Sequence, residues 1–175
     1  MPLGLSGAAR QFIIFACELL APTGCSRPRT TLSMCIRQAV DADIPGMQRV
    51  RASARENTLP DYSVLTPRIY SEHLNSLGRG WVCERNARIV GFAVANLCES
   101  SVWALFVDPE WERRGIGRAL LDTLLAWLRA EGAQSVTLST EPGTRAASFY
   151  EAAGWAFLQF DTHGDALYEK TLTPG

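Results

Sequence analysis

The chain has almost no excess charge: 17 lysines and arginines stand against 18 aspartates and glutamates, for a formal net charge of -1. That balance excludes the general electrostatic attraction by which proteins hold nucleic acid or anionic membranes. Long hydrophobic runs are missing too. The apolar run from Phe12 to Ala21 is interrupted by Glu18 and preceded by one basic residue. It falls short of the about 20 residues needed to cross a bilayer, and it lacks the pattern of a secretion signal. Cysteine is sparse: Cys17, Cys25, Cys35, Cys83 and Cys98 show no Cys-x-x-Cys spacing and leave one over. This argues against a disulfide framework or a zinc site and points to a reducing cytoplasm. The two histidines, His73 and His163, have no partners at metal-ligand spacing, so no metal is expected and both read as structural or surface residues. No internal repeat or low-complexity tract breaks the chain.

What is present suffices for one domain, because 175 residues of 47% hydrophobic content can bury a substantial core. Residues 1–33 differ from the rest, being rich in Gly, Pro, Ser and Thr around their one apolar run. They are expected to be a dispensable extension, with Met34 as the natural start and 34–175 as the domain. A first strand is expected near Ile36. A helix then carries Ile44, Met47, Val50 and Ala54, with Asp41 and Asp43 at its positive end. Thr66-Pro67 opens a second helix over about 66–77, which Gly78 is expected to close. Trp81-Val82-Cys83 and Ile89 to Ala95 form a hairpin through Arg85-Asn86-Ala87, and Val102 to Val107 adds a third strand. Ile116, Leu120, Leu124 and Leu128 make the stripe of a long helix that ends at Arg129 before Gly132. A strand at Ser135 to Thr140, a short helix at Ala146 to Ala153 and a last strand at Ala166 to Thr171 complete the pattern. Trp127 and Trp81 read as core. This succession, strands alternating with helices after an opening hairpin, implies an α/β fold with a mixed sheet covered by helices.

The densest chemistry lies where the third strand meets the long helix, in Asp108-Pro109-Glu110-Trp111-Glu112-Arg113-Arg114-Gly115-Ile116-Gly117-Arg118. Gly115 and Gly117 let backbone approach a ligand, and the first amides of the new helix point outward at the positive end of its dipole. Arg113, Arg114 and Arg118 add positive charge. Together these make a phosphate cradle. It does not suit ATP or NAD, because no Lys-Ser or Lys-Thr follows the second glycine and no third glycine completes a dinucleotide fingerprint.

The stretch resembles the acetyl-coenzyme A loop of the GCN5-related N-acetyltransferase (GNAT) family, which runs Gln or Arg, two residues, Gly, one residue, then Gly or Ala. Glu112 stands at the Gln/Arg position and brings a negative charge that the neighbouring arginines can offset. A second block, Thr144 to Trp155 with Phe149-Tyr150-Glu151-Ala152-Ala153-Gly154-Trp155, resembles the family's Phe-Tyr-Glu-x-x-Gly-Phe segment. The resemblance covers roughly Met34 to Leu172.

It implies a central, mostly antiparallel sheet whose middle strands splay apart to admit the pantetheine arm of acetyl-coenzyme A. That arm pairs with the backbone of Leu105, Phe106 and Val107, and Arg113, Arg114, Gly115, Ile116, Gly117 and Arg118 hold the phosphates. The implied activity is direct transfer of acetyl to a primary amine of a small molecule or peptide, without nucleic acid or membrane as partner. A homodimer is a state the family allows. Transfer requires a neutral amine, a polarised carbonyl and a proton for the departing thiolate. Tyr150 matches the family's acid, since a phenol's pKa of about 10 lies above a thiol's of about 8.5. Where many relatives carry a glutamate base, this chain has Ser101. Glu99, two residues earlier, is the candidate base if the strand reaches it. The loop Asn57 to Leu65 and the segment Gln159 to Asp165 would choose the acceptor. The alternative is a non-catalytic acyl-coenzyme A sensor that kept the cradle and lost turnover.

Overall fold

The computed structural model describes residues 12–13, 34–56 and 62–172. Of the expected extension, therefore, only Phe12–Ile13 is described, and positions 57–61 of the expected acceptor loop lie outside the described residues. In chain order the elements are β1 (Phe12–Ile13), β2 (Cys35–Gln38), α1 (Ile44–Ala52), α2 (Pro67–Asn75), β3 (Gly78–Arg85), β4 (Arg88–Asn96), β5 (Ser101–Val107), α3 (Ile116–Ala130), β6 (Ser135–Thr140), α4 (Arg145–Ala152), β7 (Ala156–Phe160) and β8 (Ala166–Thr171). Short 3-10 turns precede α1 and α2 and follow β5.

The strands form one sheet in the order β2-β3-β4-β5-β6-β8-β7, with β1 attached to β5. All pairs along that order are antiparallel except β5–β6, which is parallel and registers at Ser101 opposite Thr137. Beyond that point β5 and β6 part, and β1 lies in the opening, parallel to β5. A mixed sheet is the architecture expected from the succession of elements, and splayed middle strands are what the resemblance implied.

Local chemistry explains most boundaries. Asn86 and Ala87 sit at φ 49° and 57°, a pair of left-handed residues whose twist matches the two strands of the β3–β4 hairpin. Thr66 caps α2 by accepting from the Ile69 amide at 3.4 Å, with Pro67 at the first helical position. Ala54 falls outside the first helix, which ends at Ala52, and two further expectations need correction. Gly78 does not close α2, which ends at Asn75; it opens β3, where a Cβ would lie 1.8 Å from the Ala95 carbonyl oxygen. Glycine is needed there for close approach of two strands, not for a helix end. β7 was not anticipated, because Ala156-Phe157-Leu158-Gln159-Phe160 lacks alternation and all five residues are exposed on the sheet's outer strand.

Two buried clusters cover the two faces of the sheet. One joins α3 and α4 to Val102, Leu105 and Val107 of β5; the other joins α1 and α2 to Trp103, Ala104 and Phe106. Trp103 is the extra residue of a bulge, since Ala95 pairs with Val102 while Val94 pairs with Ala104. Trp81 belongs to the first cluster with Trp127 packed against it, as their apolar positions implied.

Candidate functional site

The site is assembled where β5 leaves its neighbour. Backbone groups of Leu105, Phe106 and Val107 pair on one side with Ala93, Phe92 and Gly91 of β4. On the other side β6 has already turned away, and the opening is wide enough for a polypeptide strand, because β1 occupies it opposite Ala104 and Leu105. An extended arm carrying amide groups therefore has room and partners there.

At the C-terminal end of β5 the chain passes through the glycine turn. Gly115 takes φ 75° at the N-cap of α3, a left-handed conformation that disfavours any residue with a Cβ. The first intrahelical bond there runs from the Ala119 amide to the Gly115 carbonyl at 3.0 Å. The amides of Ile116, Gly117 and Arg118 thus precede the helix ladder and face outward, with no acidic residue in the first turn to compete for them. Arg113, Arg114 and Arg118 are all exposed around this point. Arg114 lies over the Trp111 ring at 4.7 Å, and Arg118 pairs loosely with Asp122 at 3.7 Å. Helix dipole, free amides and arginines together fit a phosphate-bearing ligand.

The charge of Glu112 is met from elsewhere than expected. Its Oε2 accepts from Arg145 Nη1 at 3.4 Å, and Arg145 Nε donates to Glu56 Oε1 at 2.9 Å. The compensating cation comes from α4 and not from the turn's own arginines. Sequence spacing held no trace of this contact, because it joins residues 33 positions apart.

Tyr150 is fully buried on α4, in the same cluster as Leu105 and Val107 of β5 and Leu138 of β6. Phe149 and Trp155 meet its ring edge-on at 5.3 and 5.4 Å. Its hydroxyl finds no hydrogen-bond partner among the described residues, and burial pushes its pKa well above the usual phenol value. A buried hydroxyl without a partner is costly in a folded protein and marks a place where a ligand atom would satisfy it. The observation fits the implied thioester donor, whose sulfur would accept that proton.

Glu99 is not on a strand. β5 begins at Ser101, and Glu99 lies exposed in the turn before it, where Ser100 takes φ 47° and Asn96 Oδ1 accepts from the Glu99 amide at 3.2 Å. Its Oε2 does reach the buried Ser101 hydroxyl at 3.5 Å. Tyr150, Leu105 and Val107 are therefore brought together in one cluster, whereas Glu99 stands outside it, linked through Ser101.

The face across the sheet holds Arg51, which sequence reasoning passed over, and His73, which it read as structural or surface. Arg51 on α1 is 1% exposed, with its guanidinium 4.6 Å from the Phe106 ring centre and 5.5 Å from that of Trp103. His73 on α2 stacks on Trp103 at 4.0 Å; its Nδ1 lies 2.9 Å from the Ile69 carbonyl, and burial lowers its pKa. Arg51 had a legible sign, since it follows Met47 by four and Ile44 by seven and so falls on the apolar stripe of α1.

Comparison with known proteins bears on this site directly. Residues 46–155 match the model of the acetyltransferase (GNAT) family. Serotonin N-acetyltransferase 2, chloroplastic, of Oryza sativa subsp. japonica is 35% identical over 84 residues, which is 48% of this chain and 40% of that protein. The [ribosomal protein bS18]-alanine N-acetyltransferase of Escherichia coli K12 is 32% identical over 74 residues, 41% of this chain and 50% of the relative. This chain thus spans half or less of these curated relatives. An acetyltransferase of the GNAT family from Staphylococcus aureus Mu50 superposes with a TM-score of 0.69 at 20% identity, over 81% of this chain and 100% of that one. The PaiA N-acetyltransferase of Thermoplasma acidophilum, in complex with coenzyme A, gives 0.63 at 17% identity, over 80% and 99%.

Proposed function

From its membership of the acetyltransferase (GNAT) family, to which this chain belongs, we propose that it is an acetyl-coenzyme A dependent N-acetyltransferase acting directly on a primary amine of a small molecule or peptide. The observation that carries this reading is the buried Tyr150 hydroxyl, without a hydrogen-bond partner among the described residues, in the cluster that contains the strands flanking the opening. Bound acetyl-coenzyme A supplies an activated acetyl thioester. Leu105, Phe106 and Val107 offer backbone groups to its extended arm, and the amides of Ile116, Gly117 and Arg118, with Arg113, Arg114 and Gly115, hold its phosphates. Tyr150 keeps a proton on its oxygen throughout the neutral range, because burial disfavours the phenolate, and delivers it to the leaving thiolate. Glu99, acting through Ser101, is the candidate base. The relatives' names and the coenzyme A complex of one structural neighbour support the reading.

Glu99's exposed place in a turn favours a second reading, in which the domain senses acyl-coenzyme A without turning it over. Calorimetric titration with acetyl-coenzyme A, run beside ATP, followed by thiol-release assays over an amine panel, separates the cases. Saturable binding with Tyr150-dependent thiol release supports the enzyme. Binding without release from any amine supports the sensor, and absence of binding sinks both. No helix among the described residues is long and apolar enough to cross a membrane.

A further inference from the structure

The opening between β5 and β6 is filled by the chain itself. β1 lies against both strands and runs parallel to β5, with Phe12 opposite Ala104 and Ile13 opposite Leu105. Leu105 is also the first of the three residues proposed above to pair with the donor's extended arm, so the two occupants cannot use that edge together. We propose that the segment carrying Phe12–Ile13 is an internal competitor of acyl-coenzyme A: it adds as a strand to β5, and donor binding requires its withdrawal. The proposal rests on the cofactor reading just given.

β5 is buried along its whole length. Amides and carbonyls left unpaired on its free edge are costly, and either a peptide strand or the amide groups of an extended cofactor arm satisfies them. After Ser101 that edge is not paired to β6. A strand from the same chain needs no encounter step, which raises its effective concentration at the edge. It is also short, two residues in register, so it is displaceable by a ligand that additionally engages the amides of α3. Occupancy by β1 lowers apparent donor affinity by the fraction of molecules left open. An N-terminal segment expected to be dispensable for folding thereby sets the cofactor concentration at which the domain loads.

The test compares the full chain, the full chain with Ile13→Pro, and a chain beginning at Met34. Proline removes a backbone donor and is excluded from paired strand interiors. Hydrogen exchange without ligand comes first: the Leu105 amide, which faces β1 while those of Ala104 and Phe106 turn to β4, should lose protection by about tenfold or more in both altered proteins. Equal protection in all three overturns the proposal. Titration with acetyl-coenzyme A comes second, and both altered proteins should bind about three- to thirty-fold more tightly than the full chain. Equal affinities overturn the competition and leave the cofactor reading standing. No binding by any of the three overturns the cofactor reading and the competition with it. If the shortened chain fails to fold, the Ile13→Pro protein decides.

Discussion

Arg145 Nη1 stands 3.4 Å from Glu112 Oε2 while its Nε holds Glu56 Oε1 at 2.9 Å, so one guanidinium joins the helix of Tyr150 to the glycine turn and to the segment after α1. Both carboxylates raise the pKa of Arg145, which keeps it charged throughout the accessible range. Half-exposed bridges of this kind add little to stability, about 0–1 kcal/mol. Their consequence here is local potential beside the phosphate cradle. Arg145→Ala should weaken acetyl-coenzyme A binding about three- to tenfold with little change in Tm, and adding Glu112→Gln should restore most of it. Calorimetry on the single and double variants measures this; a double variant as weak as Arg145→Ala would show that Glu112 is not the cause.

Tyr150→Phe should lower kcat by about ten- to a thousandfold and leave cofactor affinity nearly unchanged, the pattern of a lost acid. Because the hydroxyl has no partner among the described residues, its removal should leave Tm equal or slightly raised. A variant with full turnover would remove Tyr150 from the mechanism, and one with collapsed Tm would show that the hydroxyl is structurally bonded.

Burial lowers the pKa of His73 below its ordinary 6.5, opposed by its contact to the Ile69 carbonyl and the charges of Glu72 and Glu99, and reinforced by Arg51. The unfolded chain therefore binds the proton more readily, and stability falls as pH drops below about 6.5. His73→Gln should flatten that fall, seen as a smaller loss of Tm between about pH 7.5 and 5.5. Asp43, paired with Arg37 at 2.7 Å, has its pKa lowered from 3.8 and acts in a more acidic window, so the two do not overlap. Identical pH profiles for wild type and variant would refute the assignment.

Gly78→Ala sets a methyl group against the Ala95 carbonyl oxygen and Asn96 Cα, both backbone and unable to yield cheaply. It should cost about 1–3 kcal/mol, a Tm decrease of about 2–12 °C. An unchanged melting curve would mean that β3 and β4 separate at their open end with ease.

Sequence legibility followed the strength of local patterning. The Ile116, Leu120, Leu124 and Leu128 stripe, the Thr66-Pro67 cap and the alternating residues of β6 each declare their element within one or two turns of chain, and each is found where expected. β7 is a sheet edge exposed on every residue, so no burial period is imprinted on it. Gly78 was misassigned because a helix end and a close strand approach both select glycine, and the choice depends on Ala95, far along the chain. The glycine turn and Tyr150 could be singled out in the sequence because each sits in a compact motif. The Arg145 to Glu112 contact, the stacking of His73 on Trp103 and the place of Phe12–Ile13 could not, since each is a tertiary event between distant segments.

The parting of β5 from β6 also divides the molecule mechanically. Strands β2 to β5 share long ladders, as do β6, β8 and β7, yet among the described residues the two groups register at Ser101 and Thr137 alone. A seam that thin transmits little cooperativity through the β5–β6 ladder itself, so the groups are coupled by β1, which lies against both, and by the side chains of the cluster that includes α3 and α4. The half containing β6 to β8 should open as its own unit before global unfolding, and a ligand lying along the seam would fasten the halves into one.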